Sequence, residues 1–350
     1  MINRKIKIAF AGNFKYNCGS SNTLLGYVKA GNNIGFDIRV SEFGYIDNIL
    51  RRKIPIANRR WYPDLLVIVY ESYPFLSKMD IEQIQNFIPR KKRVLVDPDG
   101  KYLPPLSTEN DTNHPTKDSY KYWSNLYNSL SDVILLPFLK GNVSRDNVHS
   151  FLYFGIDNTF SDFNKIKKDF DLVYVGNNWY RWKDIVALIS GISSIRKLVK
   201  NVALVGMYWD GKAKKGNEKA TYSNFEYLKK NNIKIYKSAA YGQVEKTMSK
   251  GLLNPVFVRP ILNKLNLITP RMFETFAANT IPLLPNYFKN APHLYGVGVE
   301  KLFLSDNPAE RIVTIFKNYN KYKELVLKIR NKITSRHSYE TRLKELLSFA

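Results

Sequence analysis

Residues 171–188 read DLVYVGNNWYRWKDIVAL, and this stretch indicates the fold of the chain. An apolar run of strand length, Asp171 to Val175, ends at Gly176, and a helical pattern follows from about Trp182 to Leu188. A second apolar run, Val202 to Val205, comes after that helix. Short buried strands that alternate with helices are typical of a parallel sheet with helices on both faces.

The same alternation extends along the rest of the chain. Further strands are predicted at Ile6 to Ala11, Phe36 to Val40, Leu65 to Tyr70, Arg93 to Val96, Val133 to Leu136, Ile233 to Tyr236, Val256 to Val258 and Ile281 to Leu284. The polar stretch 157–169 separates the two halves of this pattern. We therefore predict two open α/β domains joined by a hinge, with the ligand in the cleft that the carboxyl ends of both sheets face.

Length and composition agree with two intracellular domains. At roughly 150 residues per domain, 350 residues suggest two. The single cysteine excludes an internal disulfide and, with four scattered histidines, a cysteine-rich metal site. The apolar run at Ile6 is too short for a signal peptide, and every apolar run is far below the ~20 residues of a membrane span. We expect a cytoplasmic protein without a metal site or a transmembrane segment.

The net charge is +24, from 54 basic and 30 acidic residues. Such an excess implies a polyanionic partner, which is nucleic acid, an anionic membrane surface or a phosphorylated substrate. Basic residues also come in runs, at Arg51 to Lys53, Arg59-Arg60, Arg90 to Arg93 and Lys212 to Lys215. The alternative is a solvated basic surface with no specific partner, although runs in both halves of the chain are harder to explain that way.

The stretch TPRMFE, residues 269–274, is the most informative about function. Thr269 is a good N-cap and Pro270 suits the first helical position, so a helix is predicted to begin here. The amino end of that helix, with Arg271 in its first turn, is a site for a diphosphate. Glu274 lies on the same face, where its carboxylate can accept hydrogen bonds from two ribose hydroxyls. The alternative is a surface ion pair between Arg271 and Glu274.

Two other loops contain glycine. Gly12 to Ser21, which includes Gly19, does not match G-x-G-x-x-G, but it can offer backbone N–H groups to an anion or a sugar. The alternative is a plain strand-to-helix turn. Gly206 to Ala213 nearly spells a P-loop, but Ala213 stands where Ser or Thr would hold magnesium. We interpret it as a basic surface loop.

Several stretches in the second half match, in order, a pattern of GT-B-fold glycosyltransferases. They are Tyr153-Phe-Gly-Ile-Asp157, Leu172-Val-Tyr-Val-Gly-Asn177 followed by Arg181, Asn254-Pro255, the 269–274 stretch, and His337-Ser-Tyr-Glu-Thr-Arg342. The chain resembles this fold group, and especially its CgeB-type members related to spore maturation. The resemblance covers roughly residues 150–350, and the first half in outline.

The resemblance implies two Rossmann-like domains and a closing helix. Residues 1–156 would form the acceptor-side domain, 157–169 the hinge and 170–330 the nucleotide-sugar donor domain, while a C-terminal helix at 331–350 returns to the first domain. The donor, a UDP-sugar, would be bound as a substrate and not as a cofactor. Basic residues would stabilise its leaving diphosphate in place of a metal ion.

Site residues follow from the same resemblance. Arg271 and Arg181 would bind the donor diphosphate and Glu274 the ribose, while Asn177 and Thr269 belong to the two matched binding segments. Asn266 stands where many retaining members carry a second glutamate. The stereochemical outcome is therefore open.

An inverting mechanism needs a general base on the acceptor side. Asp97 and Asp99 are the best candidates, because they follow the predicted strand that ends at Val96. Glu71 and His114 are weaker candidates. The alternative is a structural role, since Asp-Pro-Asp-Gly is a strong turn sequence.

The net charge of the chain helps to identify the class of acceptor. A charge of +24 exceeds what a nucleotide sugar requires, so the leading hypothesis is transfer to a hydroxymethylated pyrimidine base in DNA. A second acceptor class is a cell-surface polysaccharide or a lipid-linked sugar at an anionic membrane. Two different functions also fit the sequence: a non-catalytic nucleic-acid-binding protein on the same scaffold, and a nucleotide-sugar epimerase or phosphorylase.

Overall fold

The computed structural model of the chain describes residues 5–58, 60–71, 75–104, 117–139, 145–157, 160 and 162–349. Arg59 and His114, both named above, lie outside these ranges. The chain forms two compact units, of which the first comprises residues 1–157, 264–270 and 336–350 and the second residues 158–263 and 271–335. The segment 264–270, which the sequence analysis counts with the second domain, thus lies with the first unit.

Helices and strands alternate as expected of an α/β chain. Up to residue 150 they are β1 Lys7–Phe14, α1 Gly19–Asn33, β2 Asp37–Val40, β3 Tyr45–Ile46, α2 Asn48–Arg51, β4 Leu65–Val69, α3 Lys78–Phe87, β5 Arg93–Val96, α4 Lys117–Leu130, β6 Val133–Leu136 and β7 Val148–Ser150. From residue 170 they are β8 Phe170–Val175, α5 Trp182–Gly191, β9 Val202–Val205, α6 Glu218–Thr221, α7 Phe225–Lys230, β10 Ile233–Tyr236, α8 Val244–Met248, β11 Gly251–Pro255, α9 Pro260–Lys264, α10 Arg271–Ala277, β12 Ile281–Leu283, α11 Ala291–Tyr295, α12 Pro308–Lys317, α13 Tyr319–His337 and α14 Tyr339–Leu347. Strands β5, β6, β9 and β10 match the predicted ranges residue for residue.

The sheet of the first unit is parallel and runs in the order β2-β1-β4-β5-β6-β7, with the short β3 also paired to β1. Every residue of β4 and β5 is buried, because these strands lie in the middle of the sheet and have helices on both faces. Strand β1 pairs with β2 on one side and with β4 on the other, so the strand order reverses between β1 and β4. Ligands of such sheets bind beyond the carboxyl ends of the strands at the point of reversal.

The sheet of the second unit is also parallel, in the order β10-β9-β8-β11-β12, and its order reverses between β8 and β11. One predicted strand is wrong: the strand is β11 at Gly251–Pro255, and Val256 to Val258 follow it. All three are buried. An apolar run of this length predicts burial, but it does not distinguish a buried strand from a buried loop.

The C-terminal helix α14 returns to the first unit and packs on α1. The ring of Tyr339 lies edge-on to that of Tyr27, with centroids 5.2 Å apart. A Cβ atom on Gly26 would lie 2.2 Å from the Tyr339 ring, so α1 needs a glycine there. Ile156 donates its backbone N–H to the carbonyl of His337 at 3.0 Å. The predicted fold class, two parallel α/β domains with a returning helix, is confirmed.

Of the helices in the described part of the chain, none combines the length and the apolar character needed to cross a membrane.

Candidate functional site

In the second unit, the loop after β8 lies where the strand order of the sheet reverses. A Cβ atom on Gly206, which follows β9, would lie 2.2 Å from the carbonyl oxygen of Gly176, which follows β8. Only a glycine permits this close approach of the two loops. The side-chain oxygen of Asn177 accepts hydrogen bonds from the Met207 N–H at 2.8 Å and the Ser238 hydroxyl at 3.3 Å. Asn177 therefore holds the loops together, and its contact with a donor stays a prediction.

Arg271 begins α10 and lies against the same loop. A Cβ atom on Gly176 would lie 2.9 Å from its Nη2, and its guanidinium stands over the Tyr174 ring at 5.7 Å from the centroid. Its Nη1 is 3.7 Å from Glu274 Oε2, and the two side chains are 16% and 12% exposed. The ion pair of the alternative is therefore present, although it is mostly buried beside the end of β8 and not on the surface. The predicted contacts of Arg271 and Glu274 with a donor stay predictions.

Arg181 precedes the first residue of α5 and turns back toward the loop. Its Nη1 donates to the carbonyl of Trp179 at 2.8 Å, and its buried Nε has no hydrogen-bond partner among the described residues. Burial lowers the pKa of Arg181, and the positive charges of Arg271 and Arg259 lower it further, although Tyr174 opposes this. Arg271 and Arg259 thus both lie near enough to act on Arg181, and these three cations, hereafter the arginine cluster, favour an anion.

The far end of α10 is held by a residue that sequence reasoning missed. Arg330 is buried and donates from Nε to the carbonyl of Phe276 at 2.6 Å and from Nη2 to that of Ala278 at 2.8 Å. It thereby satisfies the Phe276 carbonyl in the last turn of the helix and shares the Ala278 carbonyl, just after the helix, with the Thr280 N–H. Burial lowers the pKa of Arg330 to about 10. No local motif distinguishes this arginine from the other basic residues of α13.

Thr269 lies in the first unit, apart from the helix it was predicted to cap. Its hydroxyl is buried and has no hydrogen-bond partner within the described residues, and α10 begins only at Arg271. The predicted N-cap is therefore wrong. The physical reason is that the segment before α10 packs on the first unit, where Ile268 donates its N–H to the carbonyl of Pro137 at 2.6 Å.

Both glycines predicted at the start of the chain are in tightly packed places. A Cβ atom on Gly12 would lie 2.7 Å from the ring of Phe14, and one on Gly19 would lie 2.5 Å from Cγ of Pro270. These contacts explain why glycine stands at each position. Their predicted backbone contacts with a ligand stay predictions.

The strand reversal of the first unit places Glu71 at the start of α1. Glu71 follows β4, and its Oε2 accepts hydrogen bonds from the Ser20 N–H at 3.0 Å and the Cys18 thiol at 3.2 Å. Burial raises the pKa of Glu71, and the negative charge of Asp99 raises it further. Glu71, Asp97 and Asp99 therefore lie together at the carboxyl ends of β4 and β5, and we call them the carboxylate cluster.

Asp97 organises the turn after β5. It is fully buried, and its Oδ2 accepts the Tyr102 N–H at 2.8 Å while its Oδ1 accepts the Tyr127 hydroxyl at 3.4 Å. Burial raises its pKa to about 6, against the opposing effect of the positive charge of Lys101. These bonds agree with the structural alternative for Asp97, in which the aspartate stabilises the Asp-Pro-Asp-Gly turn.

Asp99 pairs with Lys101, a buried cation that sequence reasoning did not single out. Lys101 Nζ lies 3.5 Å from Asp99 Oδ2, and the side chains of Lys101 and Asp99 are 1% and 9% exposed. The same ammonium group donates to the carbonyl of Tyr70 at 3.4 Å and lies 4.8 Å from the centroid of the Trp123 ring. A lysine directly after the Asp-Pro-Asp-Gly turn was the available signal, because it lies close in the chain to both carboxylates of that turn.

Within the described ranges, no group of three or more His, Cys, Asp or Glu side chains is arranged to hold a metal ion.

No protein-family model and no curated protein matches the sequence. Solved structures do match the fold. An alpha-glucosyltransferase in complex with UDP and a 13-mer DNA containing an HMU base superposes with a TM-score of 0.65 at 12% identity, over 99% of each chain. Anabaena Alr3699/HepE with UDP and glucose gives 0.59 at 14% identity, over 99% of this chain and 100% of the other. T4 phage BGT with UDP and Mn²⁺ gives 0.56 at 16% identity, over 98% and 99%.

The chain has the GT-B fold. At these identities the likeness concerns the fold, so the predicted grouping with CgeB-type proteins within the GT-B fold stays a prediction. The arginine cluster and the carboxylate cluster each lie at the strand reversal of one GT-B sheet, where ligands of open parallel sheets bind.

Proposed function

We propose that this chain is a glycosyltransferase that moves a sugar from a UDP-sugar to an acceptor hydroxyl, and that the acceptor is a hydroxymethylated pyrimidine base in DNA. The observation that carries the proposal is the arginine cluster beside the mostly buried Glu274 at the strand reversal of the second sheet. Structures of the same fold that contain UDP support the choice of donor.

The donor would bind to the second unit. Arg181, Arg259 and Arg271 supply positive charge for the diphosphate, and an arginine fork binds phosphate oxygens through two parallel hydrogen bonds. Glu274 is held by its ion pair with Arg271 at 3.7 Å and would accept hydrogen bonds from the ribose hydroxyls. The arginines therefore stabilise the leaving group, and the carboxylate orients the nucleoside.

The general base of an inverting reaction would come from the first unit, and Asp99 is our choice. Both carboxylate oxygens of Asp97 already accept hydrogen bonds, one from the turn and one from Tyr127 of α4, whereas Asp99 pairs with Lys101 and keeps 9% of its side chain exposed. In this reaction the acceptor oxygen forms a bond to the anomeric carbon. The bond from that carbon to the diphosphate breaks, UDP leaves with the electron pair, and the acceptor proton passes to Asp99. Glu71 is the second candidate for the base.

DNA as the acceptor is supported by charge and by fold. The net charge of +24 favours a polyanion, and one structure of this fold contains DNA with an HMU base. Contacts to phosphates would supply affinity, and the modified base would leave the helical stack to reach the base catalyst. Binding of a modified duplex should therefore weaken at least tenfold between about 50 and 200 mM salt.

We also propose that transfer needs no divalent ion, because the arginine cluster supplies the charge at the leaving diphosphate. T4 phage BGT, by contrast, binds Mn²⁺ together with UDP. Transfer should continue in EDTA. Loss of transfer in EDTA that Mn²⁺ restores would overturn this part of the proposal.

The decisive experiment offers a panel of radiolabelled UDP-sugars with duplex DNA that contains 5-hydroxymethyluracil or 5-hydroxymethylcytosine, and with unmodified DNA as a control. We expect label on modified DNA alone. Arg271→Ala should reduce transfer about 100-fold or more, because a charge that stabilises the leaving group is lost. Lys250→Ala is the matched control, since Lys250 forms an exposed ion pair with Asp169 at 3.7 Å and should not matter.

The remaining outcomes separate the competing functions. UDP release from one donor without label on DNA keeps the glycosyltransferase and moves the acceptor to a surface glycan or a lipid-linked sugar. DNA binding without a response to any donor favours a non-catalytic nucleic-acid-binding protein. Transfer by Asp99→Asn at the wild-type rate would exclude Asp99 as the base, and NMR of the new anomeric proton would report inversion or retention.

A further inference from the structure

Large side chains are exposed at the carboxyl end of β1, where the strand order of the first sheet reverses. Tyr16 is 61% exposed, Tyr45 52% and Ile49 56%. Lys15, directly before Tyr16, is exposed as well. We call Lys15, Tyr16, Tyr45 and Ile49 the tyrosine surface. The roles proposed above for the first unit make no use of it.

Backbone pairing brings these residues together. Tyr45 of β3 pairs in parallel register with Asn13 of β1, and strands paired in this way lie about 4.8 Å apart. Asp47 donates its N–H to the carbonyl of Phe14 at 3.2 Å, and its carboxylate accepts the Ile49 N–H at 2.7 Å. The end of β1, strand β3 and the start of α2 therefore form one continuous surface. Exposed apolar side chains that are grouped in this way mark a binding site, whereas isolated ones do not.

The tyrosine surface adjoins the carboxylate cluster. The carbonyl of Tyr16 accepts hydrogen bonds from the Cys18 N–H at 2.9 Å and the Ser21 hydroxyl at 2.6 Å. The Cys18 thiol in turn donates to Glu71 Oε2 at 3.2 Å. Strand β1 pairs with β3 on one side and with β4 on the other, so the tyrosine surface lies at the carboxyl ends of the strands, as the carboxylates do.

The charge around the tyrosine surface favours a polyanion. In residues 13–18 and 41–53 the basic side chains, all of them exposed, outnumber the acidic ones by four to two. They are Lys15, Arg51, Arg52 and Lys53, against Glu42 and Asp47. Cations beside exposed aromatic rings are the combination that binds a nucleic-acid strand, because the cations attract phosphates while the rings stack on bases of any sequence.

We infer that the tyrosine surface binds the acceptor DNA beside the modified nucleotide, with a neighbouring base stacked on Tyr16 or Tyr45 and a phosphate on Lys15. The inference rests on the proposed DNA acceptor and adds the surface that holds the DNA. A base that leaves the helix to reach the carboxylate cluster takes its stacking away from its neighbours. An aromatic ring next to the cluster replaces that stacking and so favours the extruded state.

The test compares Tyr16→Ala and Tyr45→Ala with Tyr62→Ala. Tyr62 is 65% exposed and belongs to the same unit, but it precedes β4 and so lies toward the amino ends of the strands. All three side chains are more than half in solvent, so the variants should fold, and circular dichroism checks this. Binding of a modified duplex is measured by fluorescence anisotropy. Transfer is measured to the same duplex and to the free hydroxymethylated nucleoside.

We expect Tyr16→Ala and Tyr45→Ala each to bind the duplex about tenfold more weakly and to raise its KM to a similar extent. Their kcat, their transfer to the nucleoside and their release of UDP in water should equal those of the wild type, as should every property of Tyr62→Ala. Tyr16→Phe should keep the affinity of the wild type, because the ring and not the hydroxyl stacks on the base. Lys15→Ala should reduce the slope of log affinity against log salt by about one.

Wild-type duplex affinity in both Tyr16→Ala and Tyr45→Ala would overturn the inference and leave the proposed function intact. An equal loss of affinity in Tyr62→Ala would also overturn it, because binding would not be confined to the tyrosine surface. Absence of duplex binding by the wild type would overturn the DNA acceptor, and the inference with it. Weaker binding of Tyr16→Ala to vesicles of phosphatidylcholine and phosphatidylserine, at an unchanged affinity for DNA, would overturn the inference and assign the surface to a membrane.

Discussion

The guanidinium of Arg271 lies in the space that a side chain on Gly176 would need. A Cβ atom at Gly176 would be 2.9 Å from Arg271 Nη2 and 2.8 Å from the hydroxyl of Tyr174. Both distances are shorter than real Cβ contacts. The absence of a side chain at Gly176 is therefore what lets Arg271 reach the end of β8, where the proposed diphosphate site lies.

Gly176→Ala should displace Arg271 without unfolding the unit. We expect the KM for the UDP-sugar to rise about tenfold, because one charged contact to the diphosphate is weakened. Steady-state kinetics measure this, and circular dichroism checks the fold. Since the glycine acts through the arginine, Gly176→Ala should add little to Arg271→Ala. Fully additive effects of the two substitutions would show that Gly176 has another role.

Arg330→Met should destabilise the second unit by about 2 kcal/mol, because the Phe276 carbonyl loses its buried charged donor and the Ala278 carbonyl keeps only the Thr280 N–H. Urea unfolding measures the free energy. Arg196→Met is the matched control: Arg196 also donates to two carbonyls, those of Val199 and Asn231, but it is only half-buried. Equal losses of stability in the two variants would show that Arg330 does not anchor α10 specifically.

Asp97 makes stability depend on pH. Its carboxyl has a pKa of about 6 in the folded chain, against about 3.9 for an unfolded aspartate. Between these values the folded state binds a proton that the unfolded state has lost. The free energy of unfolding therefore falls as the pH rises from about 4 to 6, by about 3 kcal/mol from this group. Relative to the wild type, Asp97→Asn should gain stability across that window in urea titrations. A constant difference between the two proteins would contradict the assignment.

Lys101 and Asp99 should behave as a coupled pair. Lys101→Met leaves the mostly buried carboxylate of Asp99 without its cation, and we expect a loss of about 3 kcal/mol in the free energy of unfolding. Asp99→Asn combined with Lys101→Met should recover part of that loss, because no unpaired charge remains. A double variant as unstable as the sum of the single variants would mean that the two side chains do not interact.

Most of the fold can be predicted from the repeated alternation of strand and helix patterns along the sequence. The apolar run of β9, followed by a glycine, predicts a buried parallel strand, because a central strand of such a sheet has no solvated face. The short strands β3 and β7 were not predicted. They lie at or near the edges of the sheet, and Val148–Ser150 has neither an apolar run nor an alternation to reveal it.

The local sequence predicted which side chains form the candidate sites better than it predicted where the neighbouring residues pack. Arg271 and Glu274 stand three residues apart on one short helix, so their proximity follows from helix geometry alone. Thr269 is only two residues from Arg271, yet it packs in the other unit, and no helix-capping rule contains that information.

The sequence by itself determined the fold class, the positions of most central strands (β11 excepted) and the residue types available for binding a diphosphate, because these depend on contacts between near neighbours in the chain. Only the tertiary structure decided that Arg181 lies near both Arg259 and Arg271, that Lys101 is buried against Asp99, and that Arg330 holds the end of α10. Arg181, Arg259 and Arg330 reach their partners across tens of residues. Such proximity comes from packing and strand order, which no local pattern encodes.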